Sequence, residues 1–302
     1  MMTIRWLHGA ETWKRKGTGV VAAAVAALVA IALSVGFGLS AHAQAARPQI
    51  HLGYVLWDSE IAAAHVVAAV LQDRLGYDVR LTSVDAGPMW AGIASGDFDA
   101  IVAAWLPHTH AAYYERVKDR ILDLGPNLEG AKIGLVVPSY VTIDSIEELN
   151  SVRDRFRGRI VGIDPGAGIM AAADRAIREY GLNYTLQDGS DAAMTAALAQ
   201  AIRRNEWIVV TGWTPHWKFA RWDLKYLDDP KGVFGGSEQI HTIVTPDLEQ
   251  RAPEAFRFLD RFYWTPDDMA AVMVMIQDGM EPMEAAREWL KQNPDKVDAW
   301  LE

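Results

Sequence analysis

Strand and helix patterns alternate along this chain, break off, and then begin again, and that rhythm limits the possible folds more than any single motif does. Residues 50–56 ("IHLGYVL") alternate as a strand, and 59–75 ("SEIAAAHVVAAVLQDRL") carry helical periodicity that Gly76 stops. Short β runs follow at 78–83 and 99–104, with the helix-like "MWAGIAS" between them. "GAKIGLVVPSYVTI" (130–143) reads as extended and is broken by Pro138. The alternation restarts with "GRIVGID" (158–164), a helix over 168–180, "YTLQ", a helix over 190–203, and "WIVVTG". "IHTIVTP" (240–246) is extended again, and 247–302 reads as three helices. Thr265-Pro266-Asp267-Asp268 marks one of their starts, with threonine as N-cap and proline in the first position.

Such alternation predicts βαβ units in an α/β fold around a mostly parallel sheet. The restart near 158 divides the chain into two lobes, each a βαβ sheet flanked by helices. Lobe one is expected over 48–135 plus 246–302. Lobe two, with the hinge crossings, is expected over 136–245, and the segments 134–141 and 240–246 are the hinge candidates.

Residues 1–43 stand apart from this pattern. Arg5, Lys14, Arg15 and Lys16 precede an apolar stretch from about Val20 to Leu39, and Ala41-His42-Ala43 closes it as a cleavage signal. A signal peptide over 1–43 is the reading; an uncleaved anchor is the alternative, because the stretch is long enough to span a bilayer. Either way the remainder faces an extracytoplasmic compartment. Removing the leader's four bases and one acid takes the net charge from −10 to −13. An exported domain this acidic is a poor partner for nucleic acid or anionic lipid. The absence of cysteine excludes disulfides, thiolate metal sites and a cysteine-linked lipid anchor.

Chemistry is expected beyond the carboxyl ends of the strands, where open α/β sheets hold their ligands. Trp57, Trp105 and Trp213 all follow apolar strand patterns, and "WLPH" and "WTPH" repeat the same grammar at two of them. Two come from lobe one and one from lobe two, so a cleft between lobes would gather three indole faces. Three indoles suit a quaternary ammonium, which water solvates weakly and whose charge the ring quadrupole attracts by about 0.5–2 kcal/mol per contact. Tryptophans such as Trp217 read as packing instead.

"IVGIDPGAGIM" (160–170) is a strand, a Gly-rich turn and a helix start. Gly166 and Gly168 permit close backbone approach, and the amides of Gly168 and Ile169 would offer a carboxylate or phosphate a helix N-terminus. No GK[ST] follows, so this is not a P-loop. His110, five residues past Trp105, could reach an anion in the cleft. His108 and His216 read as exposed residues at helix starts, and Asp58 and Ser59 as helix caps. No third ligand accompanies the histidines, so no metal site is expected. An aromatic cage beside an anion cradle describes a small zwitterion.

Seven stretches in one order carry a resemblance: "GYVLWDSEIA", "SVDAGPMWAGIASGDFD", "AAWLPHTHAAYY", "GAKIGLVVPSYV", "GIDPGAGIM", "VVTGWTPHWKF" and "LKYLDDPKGVFGGSEQIHTI". Over 50–302 the chain resembles the glycine betaine-binding proteins of ABC transporters, the OpuAC-like family. The resemblance implies a two-lobed periplasmic-binding-protein fold, a Venus flytrap that closes on its ligand. It implies that Trp57, Trp105 and Trp213 box the trimethylammonium group, while the amides of Gly168 and Ile169, with His110, hold the carboxylate. Some members are circularly permuted with the GIDPG half first; here the WDSE half comes first. The missing lipobox cysteine departs from lipid-anchored relatives and points to a soluble periplasmic receptor.

Three functions remain in view. The first is capture of glycine betaine, as a monomer without cofactor, for delivery to a permease driven by a cytoplasmic ATPase. The second is a receptor of the same build for choline or carnitine. The third is a periplasmic enzyme acting on a quaternary amine.

Overall fold

In the computed structural model, residues 48–302 are described; the export signal expected over 1–43 lies outside them. The first half of the chain gives β1 (Gln49–Tyr54), α1 (Asp58–Asp73), β2 (Asp78–Ser83), α2 (Ala86–Ser95), β3 (Ala100–Leu106), α3 (Ala111–Val117) and the long β4 (Leu122–Pro138). A 3₁₀ segment (Ile146–Phe156) leads into β5 (Arg159–Val161), α4 (Gly168–Glu179), β6 (Thr185–Gln187), α5 (Asp191–Arg203), β7 (Val210–Thr214), α6 (Lys218–Arg221), β8 (Leu224–Tyr226) and β9 (Glu238–Val244). The chain closes with α7 (Leu248–Arg251), α8 (Pro253–Arg261), α9 (Pro266–Gln277), α10 (Pro282–Gln292) and α11 (Pro294–Leu301).

The closing region therefore holds five helices where periodicity suggested three. Pro253, Pro266, Pro282 and Pro294 each occupy the first turn of a helix, where the missing N–H costs nothing, and each bars the preceding helix from running on. Thr265 caps α9 as expected, accepting from the Asp268 N–H while the Asp268 carboxylate accepts from the Thr265 N–H.

The strands run in the order β2-β1-β3-β9-β4-β7-β5-β6, with β8 beside β4. β1 is parallel to β2 and β3, and β5 is parallel to β6 and β7. β9 and β4 are antiparallel to each other and to their other neighbours, so the sheet is mixed rather than mostly parallel. The reason is the route of the chain, which passes between halves of the sheet on extended segments instead of helical crossovers. β4 is paired with β9 as far as Ala131 and with β7 from Lys132, so one strand belongs to both halves. β9, which contains most of the segment 240–246, is paired on both edges between β3 and β4. The crossing from β8 back to β9 accordingly runs over 227–237.

β3 is buried along its whole length, because helices cover one face and its neighbours continue the sheet on both edges. The buried stripe of α1, from Ala62 to Leu71, packs against this half, and α9 and α10 pack on α1. Both halves aim the carboxyl ends of their parallel strands at the same gap, which is where Trp57, Trp105 and Trp213 lie.

Candidate functional site

Each of the three tryptophans is set by a different local device. Trp57 is the N-cap residue of α1, in extended conformation, three residues past the end of β1 at Tyr54. Trp105 is the penultimate residue of β3 and stands opposite Ile240 of β9. Trp213 is the penultimate residue of β7 and stands opposite Ile133 of β4. Both Trp-x-Pro turns contain a cis X–Pro bond, at Leu106–Pro107 and Thr214–Pro215. Neither proline opens a helix: α3 begins at Ala111 and α6 at Lys218, so the prolines turn the chain and the helix starts later.

All three indoles are at least 94 % buried, and a buried indole requires an acceptor for its N–H. Trp57 Nε1–H donates to Asp164 Oδ1 at 2.9 Å, Trp105 Nε1–H to Glu60 Oε1 at 2.7 Å, and Trp213 Nε1–H to Ser59 Oγ at 3.2 Å. Two of these bonds cross between the halves of the sheet. With their N–H edges anchored, the three rings line a shared apolar cavity together with Thr109, Ile133, Ile163, Gly168 and Ile169. The Trp57 and Trp213 ring centres are 6.4 Å apart, tilted by 55°. No carboxylate lines this cavity, so any cation it holds is held by ring faces.

Five of the six residues singled out from the sequence therefore line one space. His110 is fully buried beside it, its ring 6.0 Å from that of Trp57, but does not line the cavity. The backbone N–H of Trp105 donates to His110 Nδ1 at 3.1 Å, which leaves the ring proton on Nε2; Nε2 makes no hydrogen bond of ordinary geometry, although the Ala103 backbone lies close enough to the ring to favour its protonated form slightly. Burial pushes the imidazole down to about 3, so it is neutral and offers a single N–H.

The Gly-rich turn meets this group from the other half. α4 starts at Gly168 with no side-chain cap from Ala167, so the first amides of the helix have no partner within it. A Cβ on Gly168 would stand 2.2 Å from the Thr109 carbonyl oxygen, so only glycine allows this approach. The Thr109 turn is in turn held by the buried Glu238, which accepts from the His108 N–H at 2.9 Å and the Thr109 N–H at 2.6 Å. Glu238, Thr109, Ile133 and Ile163 were not legible as site residues: they are ordinary strand and turn residues whose proximity is created by pairing.

His216, Asp58 and Ser59 differ from the sequence expectation. His216 is only 3 % exposed, and Asp58 and Ser59 cap no helix with their side chains. Ser59 accepts from Trp213, as above, and Asp58 accepts from the Trp217 indole. The Asp58 N–H donates to Asp191 Oδ2 at 3.1 Å, and His216 Nε2 lies 3.3 Å from Asp191 Oδ1. Burial and the Asp191 charge push Asp58 up to about 6; burial pushes His216 down to about 4 and the enclosed Lys218 down to about 8. Asp58, Asp191 and His216 also form a candidate cation-ligand set, with donor atoms within 4.8 Å of one another, which the sequence did not suggest. Lys218 already supplies positive charge to both carboxylates. His108 is exposed and Trp217 packs against His216 and Trp222, both as read from the sequence.

With this geometry in place, comparison with known proteins is decisive for the family. Residues 48–292 match the model of the substrate binding domain of the ABC-type glycine betaine transport system. The chain belongs to this family. Over 164 residues it is 53 % identical to the glycine betaine/carnitine transport binding protein GbuC of Listeria monocytogenes, a match that takes in 53 % of this chain and 55 % of that protein. The chain thus spans little more than half the length of that relative. Lactococcal OpuAC in its closed conformation with glycine betaine superposes with a TM-score of 0.80 at 44 % identity, covering 84 % of this chain and 99 % of that one. A glycine/betaine/L-proline-binding protein, ProX of Borrelia burgdorferi, gives 0.81 at 39 % identity, with 84 % and 97 % covered. A choline binding protein in complex with choline gives 0.76 at 26 %, with 84 % and 92 % covered. The fold is the two-lobed one of periplasmic substrate-binding proteins, and the family members are transport binding proteins. No helix among the described residues is long and apolar enough to cross a membrane.

Proposed function

We propose that this family member captures glycine betaine between its lobes and delivers it to an ABC transporter, whose permease is driven by a cytoplasmic ATPase. One arrangement carries the reading: three anchored indole faces enclose an apolar cavity beside the free amides of Gly168 and Ile169 and the unpartnered Nε2–H of His110. A trimethylammonium group takes the ring faces. A carboxylate one methylene away takes the amides and the imidazole N–H, both of which lack acceptors. His110 donates while neutral, so the contact persists at any pH well above 3. Release and capture constitute the activity; no reaction, metal or cofactor is part of it. The chain acts as a monomer in the periplasm, exported by residues 1–43.

Closure follows from the same geometry. Trp57 and Trp105 lie on one lobe and Trp213, Gly168 and Ile169 on the other, so a ligand touching both favours the closed form.

The test is calorimetric titration of the 44–302 fragment with glycine betaine and with choline. Saturable binding of glycine betaine, lost by at least tenfold in His110→Ala, is the expected result; no binding of either compound defeats the reading. A choline receptor is the second reading, and the choline-bound structural relative at 26 % identity is the observation in its favour. Choline has no carboxylate, so tight choline binding indifferent to His110→Ala would select it.

A further inference from the structure

Outside the cage lies a second, open groove whose walls come from the two sides of the cleft. One wall is the 108–116 segment and the other the 165–175 segment. Thr109 and Gly168 line both groove and cage, so the two spaces adjoin at the contact between those two residues. Tyr113 spans the groove, its hydroxyl donating to the Gly166 carbonyl at 2.9 Å.

The groove's composition departs from that of the molecule. The chain carries a net charge of −10, yet no carboxylate lines this space. Its charged residues are Arg116 from one wall and Arg175 from the other, with His108 beside them. Among the described residues neither guanidinium has an ion-pair partner. The residues between the cage and the arginines are small: Ala111 and Ala112 on α3, Gly166, Ala167 and Ala171 along the turn and α4. Gly168, Ala171 and Arg175 form one stripe of α4, placing the Arg175 backbone about 10 Å along the axis from the cage partition. Its side chain leans back toward the helix N-terminus, hence toward the cage.

We propose that this groove is a second anion subsite, in which Arg116 and Arg175 take the carboxylate of zwitterions longer than glycine betaine. The inference rests on the cage reading above. A quaternary ammonium seated among the indoles fixes one end of the ligand. With one methylene before the carboxylate, the anion stops at Gly168, Ile169 and His110. With three, it overshoots those donors and passes between Thr109 and Gly168, whose contact parts to admit the chain. Small side chains border its path, Tyr113 releases the Gly166 carbonyl as the walls part, and two guanidiniums from opposite walls pair with the anion and with it hold the cleft nearly shut.

The experiment is calorimetric titration of the 44–302 fragment, as wild type, R116Q/R175Q and R116K/R175K, with two probes. These are glycine betaine and the trimethylammonium carboxylate with three methylenes between the charges. The expected result is that R116Q/R175Q binds the longer probe at least tenfold more weakly and glycine betaine within twofold of wild type, while the lysine variant retains most of the longer probe's affinity. Equal binding of the longer probe by wild type and R116Q/R175Q overturns the subsite. So does wild type that binds glycine betaine but not the longer probe. Failure of wild type to bind glycine betaine at all defeats the cage reading itself, and the two failures are thereby distinguished. Both arginines are exposed, and matching thermal melts verify that the variants are folded.

Discussion

The ammonium of Lys218 stands 4.1 Å from the centre of the Trp213 ring, fully buried and without a hydrogen-bond partner. It does not line the cage, so on the proposed reading the indole meets one cation from the protein and a second from the ligand. Burial holds the Lys218 pKa down to about 8, with Asp191 and Asp58 opposing. Below that pH its charge repels a bound trimethylammonium group; above it the amine is neutral and the repulsion disappears. Affinity for glycine betaine should therefore rise several-fold between pH 7 and pH 9.5 and be nearly flat in Lys218→Met. Titrations across that range decide the point, and a wild-type affinity that falls with pH contradicts it.

The cage assignments predict which tryptophans matter for ligand. Ala at position 57, 105 or 213 removes a ring face worth about 0.5–2 kcal/mol, together with the shape of the site, so binding should weaken at least tenfold. Trp300 belongs to the closing helices, where its ring stacks on Trp289 and its N–H donates to the Tyr263 carbonyl. Trp300→Ala should lower the melting temperature while leaving the affinity of the folded fraction unchanged. Melting curves beside binding isotherms separate the two effects; equal loss of affinity in all four variants would dissolve the cage.

Much of this site was legible because its chemistry sits on residues with few other reasons to recur. Three strand-end tryptophans and a Gly-x-Gly turn announce themselves in sequence, and the structure brings them to one cavity. What was not legible depends on pairing. His216 looks like a polar turn residue, yet Asp191 from another helix encloses it. Ser59 looks like a cap, yet the nearest buried donor is an indole N–H 154 residues away. The sheet's mixed character was hidden for the same reason: the apolar runs of β4 and β9 are the same whether a neighbour is parallel or antiparallel.

Gly168 gives a test of closure apart from the cage. It is the first residue of α4, where alanine is compatible with the backbone, so stability should change little in Gly168→Ala. The added Cβ would nonetheless meet the Thr109 carbonyl oxygen at 2.2 Å and hold the two walls apart. Ligand affinity should drop by at least tenfold with a melting temperature within a few degrees of wild type. Small-angle scattering with saturating glycine betaine should show the variant failing to contract as the wild type does. Normal contraction and affinity would mean that the walls do not need to touch.

Glu60, which accepts the Trp105 indole N–H, carries a stability cost whose pH window can be stated. Full burial raises its carboxyl from 4.5 to about 7, and its second oxygen has no partner. Because the folded pKa lies above the unfolded one, the folded state binds the proton more tightly. The stabilising contribution of that proton is complete below about pH 4.5 and is lost as pH rises through 7. Glu60→Gln keeps an acceptor for Trp105 and removes the ionisable group. It should be more stable than wild type at pH 8 by about 3 kcal/mol, because each tenfold difference in proton affinity between the folded and unfolded chains corresponds to about 1.4 kcal/mol. The advantage should shrink as pH falls and vanish near pH 4.5. His110 and His216, held neutral by burial, destabilise both proteins equally below about pH 6.5, so the difference between them isolates Glu60. Denaturant unfolding at pH 5, 6.5 and 8 measures it, and an advantage that is the same at all three pH values would show that Glu60 does not titrate in this window.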